Sequence, residues 1–231
     1  MAGVPRLLST LKVGISMYDL LTRFPLLTWA LLCAIVQWRG LLQYMDIMNR
    51  LPLDYVYAIH IAMRLSTIGF LLLVAAAVVL RTRPSEKANG LEPRISALAG
   101  TFMMYSIPLF PRPELSTSLE LASTVLILIG SVGAVVILSQ LGRSFSVMAE
   151  ARQLVTSGPY RFVRHPLYLT EEIATIGLFI QVASVWALLL LAVHIAFQMR
   201  RIHNEETVLT GSFPEYAAYA QITARLIPGI Y

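Results

Sequence analysis

The chain has 231 residues, 57% of them hydrophobic and 13% charged, with a mean hydropathy of +0.68. So little charge cannot clothe a water-facing surface, which excludes a soluble globular domain and makes lipid the solvent. A net charge of +5 is therefore read as loop topology rather than nucleic-acid affinity, and a single cysteine, Cys33, excludes an internal disulfide or a cysteine-rich metal site.

A spanning helix needs roughly 20 mostly apolar residues, so this length accommodates about six passes in one domain, 1–231. The first residues carry Arg6 and Lys12 but no compact apolar core followed by a small-residue cleavage site, so they are expected to be retained. Apolar runs then fall at 24–43, 55–80, 95–110, 118–141, 167–181 and 184–199, with no repeat between them. The last two join into one stretch too long for a single pass at about 1.5 Å per residue. A tight hairpin near 182–185 is expected there, although neither Gly nor Pro marks the turn.

Basic residues alternate between rich and poor segments. They cluster at the N-terminus (Arg6, Lys12, Arg23), after the second run (Arg81, Arg83, Lys87, Arg94), after the fourth (Arg143, Arg152, Arg161, Arg164) and in the tail (Arg200, Arg201, Arg225). The opposite loops hold Arg50 and Arg112. The positive-inside rule then places both termini and the loop 142–166 in the cytoplasm. The predicted fold is an all-α, multi-pass integral membrane protein of about six transmembrane helices, with a C-terminal helical hairpin and a cytoplasmic tail helix.

The most informative stretch runs Leu154-Val155-Thr156-Ser157-Gly158-Pro159-Tyr160-Arg161-Phe162-Val163-Arg164-His165-Pro166-Leu167-Tyr168. Gly158-Pro159 signals a turn, and Pro166 suits the first turn of a helix, where its missing N–H is no loss. Arg164, His165 and the first-turn amides could together hold an anionic group at the membrane surface. On that helix Tyr168, Glu171 and Glu172 share a face, an arrangement suited to a cation. Two readings of the glutamates stay open: complements to the helix dipole, or functional carboxylates entering the bilayer. The second constellation, Arg200-Arg201-Ile202-His203-Asn204-Glu205-Glu206, reads by itself as a solvated helix end with Arg201 and Glu205 at i,i+4. Within the second run, His60 and Arg64 share a face and are expected to turn inward and bond to neighbouring helices, while Arg39 snorkels and His194 is a packed polar residue. The four histidines show no metal-ligand spacing, so no metal is expected.

Taken together, Leu154-Val155, Gly158-x-Tyr160, Arg164-His165-Pro166-x-Tyr168, Glu205-Glu206-x-x-Leu209, Phe213, Tyr216, Tyr219 and Arg225-Leu226-Ile227-Pro228 resemble the isoprenylcysteine carboxyl methyltransferases and their bacterial relatives. Phospholipid N-methyltransferases are similar at greater distance. The resemblance covers residue 142 to the C-terminus and implies a cofactor-binding catalytic core at 142–231 behind N-terminal membrane helices at 1–141. It implies S-adenosyl-L-methionine as cofactor, S-adenosyl-L-homocysteine as product, and a lipophilic, prenylated or lipid acceptor reached from the membrane. Carried onto this sequence, Gln153, Leu154, Val155, Tyr160, His165, Pro166, Tyr168, Asn204, Glu205 and Glu206 would bind the cofactor. One departure is Thr170, where relatives usually have a small residue.

Methyl transfer from a sulfonium is an in-line displacement, so the protein's task is alignment and exclusion of water. A carboxylate acceptor needs no base and would be held by Arg164 through a bidentate contact; an amine acceptor would need Glu171, Glu172 or His165 to take a proton. The rival enzyme class is an NADPH-dependent membrane sterol or steroid reductase, which shares a similar hairpin and a Pro-x-Tyr motif. The other rival, a non-catalytic subunit or transporter, lacks support from Gly/Pro-interrupted helix pairs.

Overall fold

The structure is a computed structural model and describes residues 17–48 and 55–229. The expected topogenic residues Arg6, Lys12 and Arg50 lie outside the described residues.

Seven α-helices follow in chain order among the described residues: α1 (Met17–Met48), α2 (Tyr55–Leu80), α3 (Glu92–Phe102), α4 (Thr117–Leu141), α5 (Pro166–Ile180), α6 (Val185–Ser212) and α7 (Tyr216–Ile222). Four of them, α1, α2, α4 with the turn that extends it, and α6, are long and apolar enough to cross a membrane. The fold is a multi-pass helical one, with four such helices where six passes were expected. The run 95–110 divides into the 11-residue α3 and a 3-10 segment, Met103–Leu109, ahead of the extended Phe110. Helix α5 has 15 residues; at about 1.5 Å each it reaches about 22 Å, short of the roughly 30 Å hydrocarbon core.

Large apolar side chains point outward all along the long helices, among them Leu32 and Val36 on α1, Leu72 on α2, Val132 and Val136 on α4, and Leu189 and Val193 on α6. Such a surface has no stable home in water and is lipid-facing. Inward, α1 packs on α2, α2 on α4, α4 on α5, and α3 on α6. Leu26 and Ala30, Val74 and Val78, and Ala134 and Leu138 form the main core between α1, α2 and α4. The α4–α5 contact is close because it is lined by glycine. A Cβ at Gly130 would come within 2.6 Å of the Thr170 carbonyl and 2.7 Å of the Ala174 methyl. Thr170 itself packs its methyl over Gly133 and donates to Leu167 O at 2.8 Å, so the departure at Thr170 is matched by a glycine on α4 and does not line the site described below.

The hairpin turn falls between Ile180 and Val185. Val182 is buried against Met104, Ile107 and Ala187, Ala183 adopts a positive φ of 24°, and Ser184 Oγ accepts from Ala187 N at 3.2 Å to cap α6. Serine, rather than glycine or proline, is thus the turn's signal. Helix α6 then runs unbroken through the charged stretch 200–206 to Ser212. Residues read as a solvated tail are its last turns, and Arg201, Ile202, Asn204 and Glu206 are buried. The separate tail helix is only the seven-residue α7.

The two basic loops meet at one end of the bundle. A short antiparallel pair joins β1 (Glu86–Lys87) to β2 (Glu150–Ala151), with Glu86 opposite Ala151 and Lys87 opposite Glu150. Thr82 N to Arg143 O (3.1 Å) and Ala88 N to Ala149 O (2.9 Å) extend it. Arg81, Arg143, Arg152 and Arg164 therefore belong to the same face as the lower turns of α6.

Candidate functional site

The site forms where the loop 142–165, the start of α5, the lower half of α6 and the tail converge. Backbone hydrogen bonds lay the tail beside the junction: Val163 and Ala224 form a parallel bridge, Arg164 N donates to Ala224 O at 2.8 Å, and His165 N donates to Arg225 O at 3.1 Å. The Arg164 guanidinium tightens this seam, donating Nη1 to Ala220 O (2.5 Å) and Thr223 O (2.7 Å). Tyr219 donates its hydroxyl to Tyr160 O at 2.5 Å.

Glu206 is the hub. Its Oε1 accepts from Arg164 Nε at 2.8 Å and lies 3.2 Å from His165 Nε2, and its Oε2 is 2.8 Å from Arg225 Nη2. Its side chain is 11% exposed, so these partners hold a nearly desolvated carboxylate. The anion that Arg164 and His165 collect at the head of α5 is thus the protein's own Glu206. Arg164 spends Nε and Nη1 on Glu206 and tail carbonyls, which makes it a pin for the tail, and it also lines the cavity.

Tyr168 links this hub to the cavity. Its ring is stacked on His165, with centroids 5.4 Å apart and planes 6° from parallel, and its hydroxyl donates to Glu205 Oε2 at 2.5 Å. The cation on its other side is Arg201, whose guanidinium carbon lies 4.4 Å from the ring centroid. Arg201 also approaches Glu171 Oε2 at 3.9 Å. Glu172 Oε1 meets His194 Nε2 at 2.9 Å and Gln198 Nε2 at 3.2 Å. The shared face of Tyr168, Glu171 and Glu172 therefore turns toward α6, and both glutamates join a polar seam inside the hairpin. Neither lines the cavity.

The cavity, about 700 Å³ counted out to its open mouth, is lined by both family-like motifs. Gln153, Leu154, Val155, Tyr160, Arg164, His165, Tyr168 and Glu205 all contribute to its wall. Pro166, at the first position of α5, is buried and absent from the lining. Glu206 stands behind the wall. Asn204 points the other way: its amide nitrogen donates to Glu92 Oε2 (3.0 Å) and Ser96 Oγ (3.0 Å), tying α6 to α3. At 100° per residue, 204 and 206 cannot share a direction with 205, and only Glu205 of the three reaches the cavity.

Ser146, Glu150 and Arg152 also line the wall and were not among the expected site residues, while Leu209 and Tyr216 stood in the motif without an assigned role. Glu150 and Arg152 stand two apart in an extended segment, hence on one side of it; that alternation was the available signal, and Arg152 passed as a topogenic residue. Tyr216 is buried with its hydroxyl unpartnered. Burial raises the Tyr160 and Tyr216 phenols well above their ordinary range, Glu205 adding to the effect at Tyr160 and Glu206 at Tyr216, so both remain neutral donors. His60 and Arg64 lie away from this site and turn inward as expected, His60 stacking on Tyr44 and facing Glu120 at 3.5 Å, Arg64 donating to Gln37 Oε1 at 3.0 Å.

Residues 123–211 match the family described as "Isoprenylcysteine carboxyl methyltransferase (ICMT) family". Among curated proteins, the chain is similar to the nickel-cobalt-cadmium resistance protein NccN of Alcaligenes xylosoxydans xylosoxydans, with 31% identity over 111 residues, 46% of this chain and 51% of that protein. It is also similar to the cobalt-zinc-cadmium resistance protein CzcN of Cupriavidus metallidurans, with 33% identity over 111 residues, 46% of this chain and 50% of that protein. The chain thus spans about half the length of these curated relatives.

Proposed function

We propose, from the match of residues 123–211 to the isoprenylcysteine carboxyl methyltransferase family, that the chain is a membrane-embedded methyltransferase using S-adenosyl-L-methionine. The proposed acceptor is a polar group, a prenylcysteine-like carboxylate first, at the end of a lipophilic chain that stays in the hydrocarbon. The observation that carries this reading is the docking of the tail on the Arg164-His165 junction through Glu206, which closes one cavity lined by both motifs.

The cavity suits such a cofactor. Its wall mixes Leu154, Val155, Leu167 and Leu209 with polar groups, among them the Tyr216 hydroxyl, which has no hydrogen-bond partner among the described residues. Gln153, Leu154 and Val155, at the end of the pinned β2 segment, would hold the nucleoside part, and His165, Tyr168 and Glu205 the methionyl part. When bound, the cofactor supplies an activated methyl on a cationic sulfur.

The residues here have three tasks. Glu205, fixed by the Tyr168 hydroxyl, puts a carboxylate in the wall where positive charge needs an electrostatic partner. Tyr160, Leu141, Phe145 and Leu167 keep water from the reacting centre. The Glu206 hub fixes the orientation of His165, and through the ring stack that of Tyr168. A carboxylate acceptor is already anionic and asks no proton transfer of this wall. With the arginine-rich loops gathered at this end of the bundle, the positive-inside rule puts the site on the cytoplasmic face.

The relatives' names speak of metal resistance. Among the described residues no group of three or more His, Cys, Asp or Glu is placed to hold a metal ion. The test is thermal unfolding in detergent with S-adenosylmethionine, S-adenosylhomocysteine or NADPH. A ligand at 100 times its Kd stabilises the folded state by about 2.7 kcal/mol. Stabilisation by both adenosyl compounds is expected, and stabilisation by NADPH alone would replace this reading with the reductase.

A further inference from the structure

We propose that Arg152 is the carboxylate-binding residue of this cavity, an inference that rests on the methyltransferase reading and adds the residue that recognises the ligand's acid group. The Arg152 side chain is 1% exposed and forms part of the cavity wall. One of its nitrogens, Nη2, donates to Glu150 Oε2 at 2.5 Å, and the same oxygen accepts from Ser146 Oγ at 2.7 Å. Nε and Nη1 have no partner. Three of the five N–H donors of a buried guanidinium are therefore unsatisfied, a condition that folded proteins tolerate where a ligand completes it.

The surroundings fix this guanidinium for such a use. Glu150 stands opposite Lys87 in the β1–β2 pair, and its side chain is 1% exposed like that of Arg152. Glu150 neutralises Arg152 well enough to let it be buried, and anchors it by one nitrogen only. The other cavity arginine, Arg164, is occupied by Glu206 and the tail carbonyls. Both ligands of the proposed reaction carry a carboxylate: the amino-acid end of the cofactor, and the acceptor of prenylcysteine type. Either would bring the acceptor oxygens that Nε and Nη1 lack.

The experiment compares acids with their amides on the full-length chain in detergent, by equilibrium binding. The probes are S-adenosylhomocysteine against its carboxamide, and an S-prenylated N-acetylcysteine against its amide. A preference of at least tenfold for the acid is expected in one pair: in the first, the cofactor is the source of the carboxylate, in the second the acceptor. Arg152→Lys keeps the ion pair with Glu150 but offers fewer donors, and should cut that preference at least threefold. The charge-free pair Glu150→Gln with Arg152→Gln should abolish it. Equal binding of acid and amide in both pairs by the wild type overturns the assignment, as does an undiminished preference in Arg152→Lys. Failure of the wild type to bind S-adenosylhomocysteine at all would sink the methyltransferase reading itself; binding without an acid preference sinks only the role of Arg152.

Discussion

Glu206→Gln removes the charge at the hub while keeping its size. The carboxylate now faces Arg164 Nε and Arg225 Nη2, each at 2.8 Å, and His165 Nε2 at 3.2 Å. A carboxamide retains one acceptor oxygen and turns an NH2 toward guanidinium groups. Breaking a buried ion pair from one side typically costs about 3–5 kcal/mol; taking the lower end because an oxygen survives, about 3 kcal/mol corresponds to about a hundredfold shift in the docking equilibrium of the tail. Apparent affinity falls with the fraction of molecules whose tail is docked. Two readouts follow. Trypsin should cut after Arg225 far faster than in wild type, since cleavage tracks the population of the open form. The Kd for S-adenosylhomocysteine should rise by the factor by which the docked fraction falls. If cutting and Kd both stay within a factor of two of wild type in a folded variant, the tail is held by its backbone seam and the hub reasoning fails.

Tyr168→Phe keeps the stack on His165 and the contact with Arg201 but frees Glu205; calorimetry should show cofactor affinity falling severalfold with thermal stability nearly unchanged. Asn204→Ala removes the bonds from α6 to Glu92 and Ser96 and should lower stability by about 1–3 kcal/mol in denaturation while leaving cofactor affinity unaltered, the reverse of what a cofactor ligand would do. The Tyr219 phenol, which burial pushes up to about 12, lies above its ordinary value near 10; its contribution to tail docking is complete below pH about 10 and is lost as pH rises toward 12. Cofactor affinity should therefore begin to fall above pH about 10 in wild type and show a weaker dependence in Tyr219→Phe.

Hydropathy alone located the long helices, because an apolar run exposed to lipid has no competing interpretation. At 95–110 and 167–181 the composition is apolar, but the helices there, 11 and 15 residues, are shorter than a full span. The turn at 181–184 was legible from length, and its cap, Ser184, was in view but unused. For the site, Arg164-His165-Pro166 and Glu205-Glu206 could be chosen as motifs, yet their partners could not: whether an arginine pairs with a ligand or with Glu206 depends on a residue 42 positions away.

Composition and run length determined that this chain is a multi-pass helical membrane protein, and motif spacing gave its C-terminal part, from residue 142, a methyltransferase likeness. Tertiary structure alone decided that Arg164 pins the tail, that Asn204 faces α3, that Glu171 and Glu172 join the seam of the hairpin, and that Arg152 is buried in the cavity wall with two nitrogens unpartnered. The physical reason is directional: neighbouring residues on α6 point about 100° apart, so which of them reaches the cavity is set by how that helix is rotated against α3 and α5, and no local pattern records that rotation.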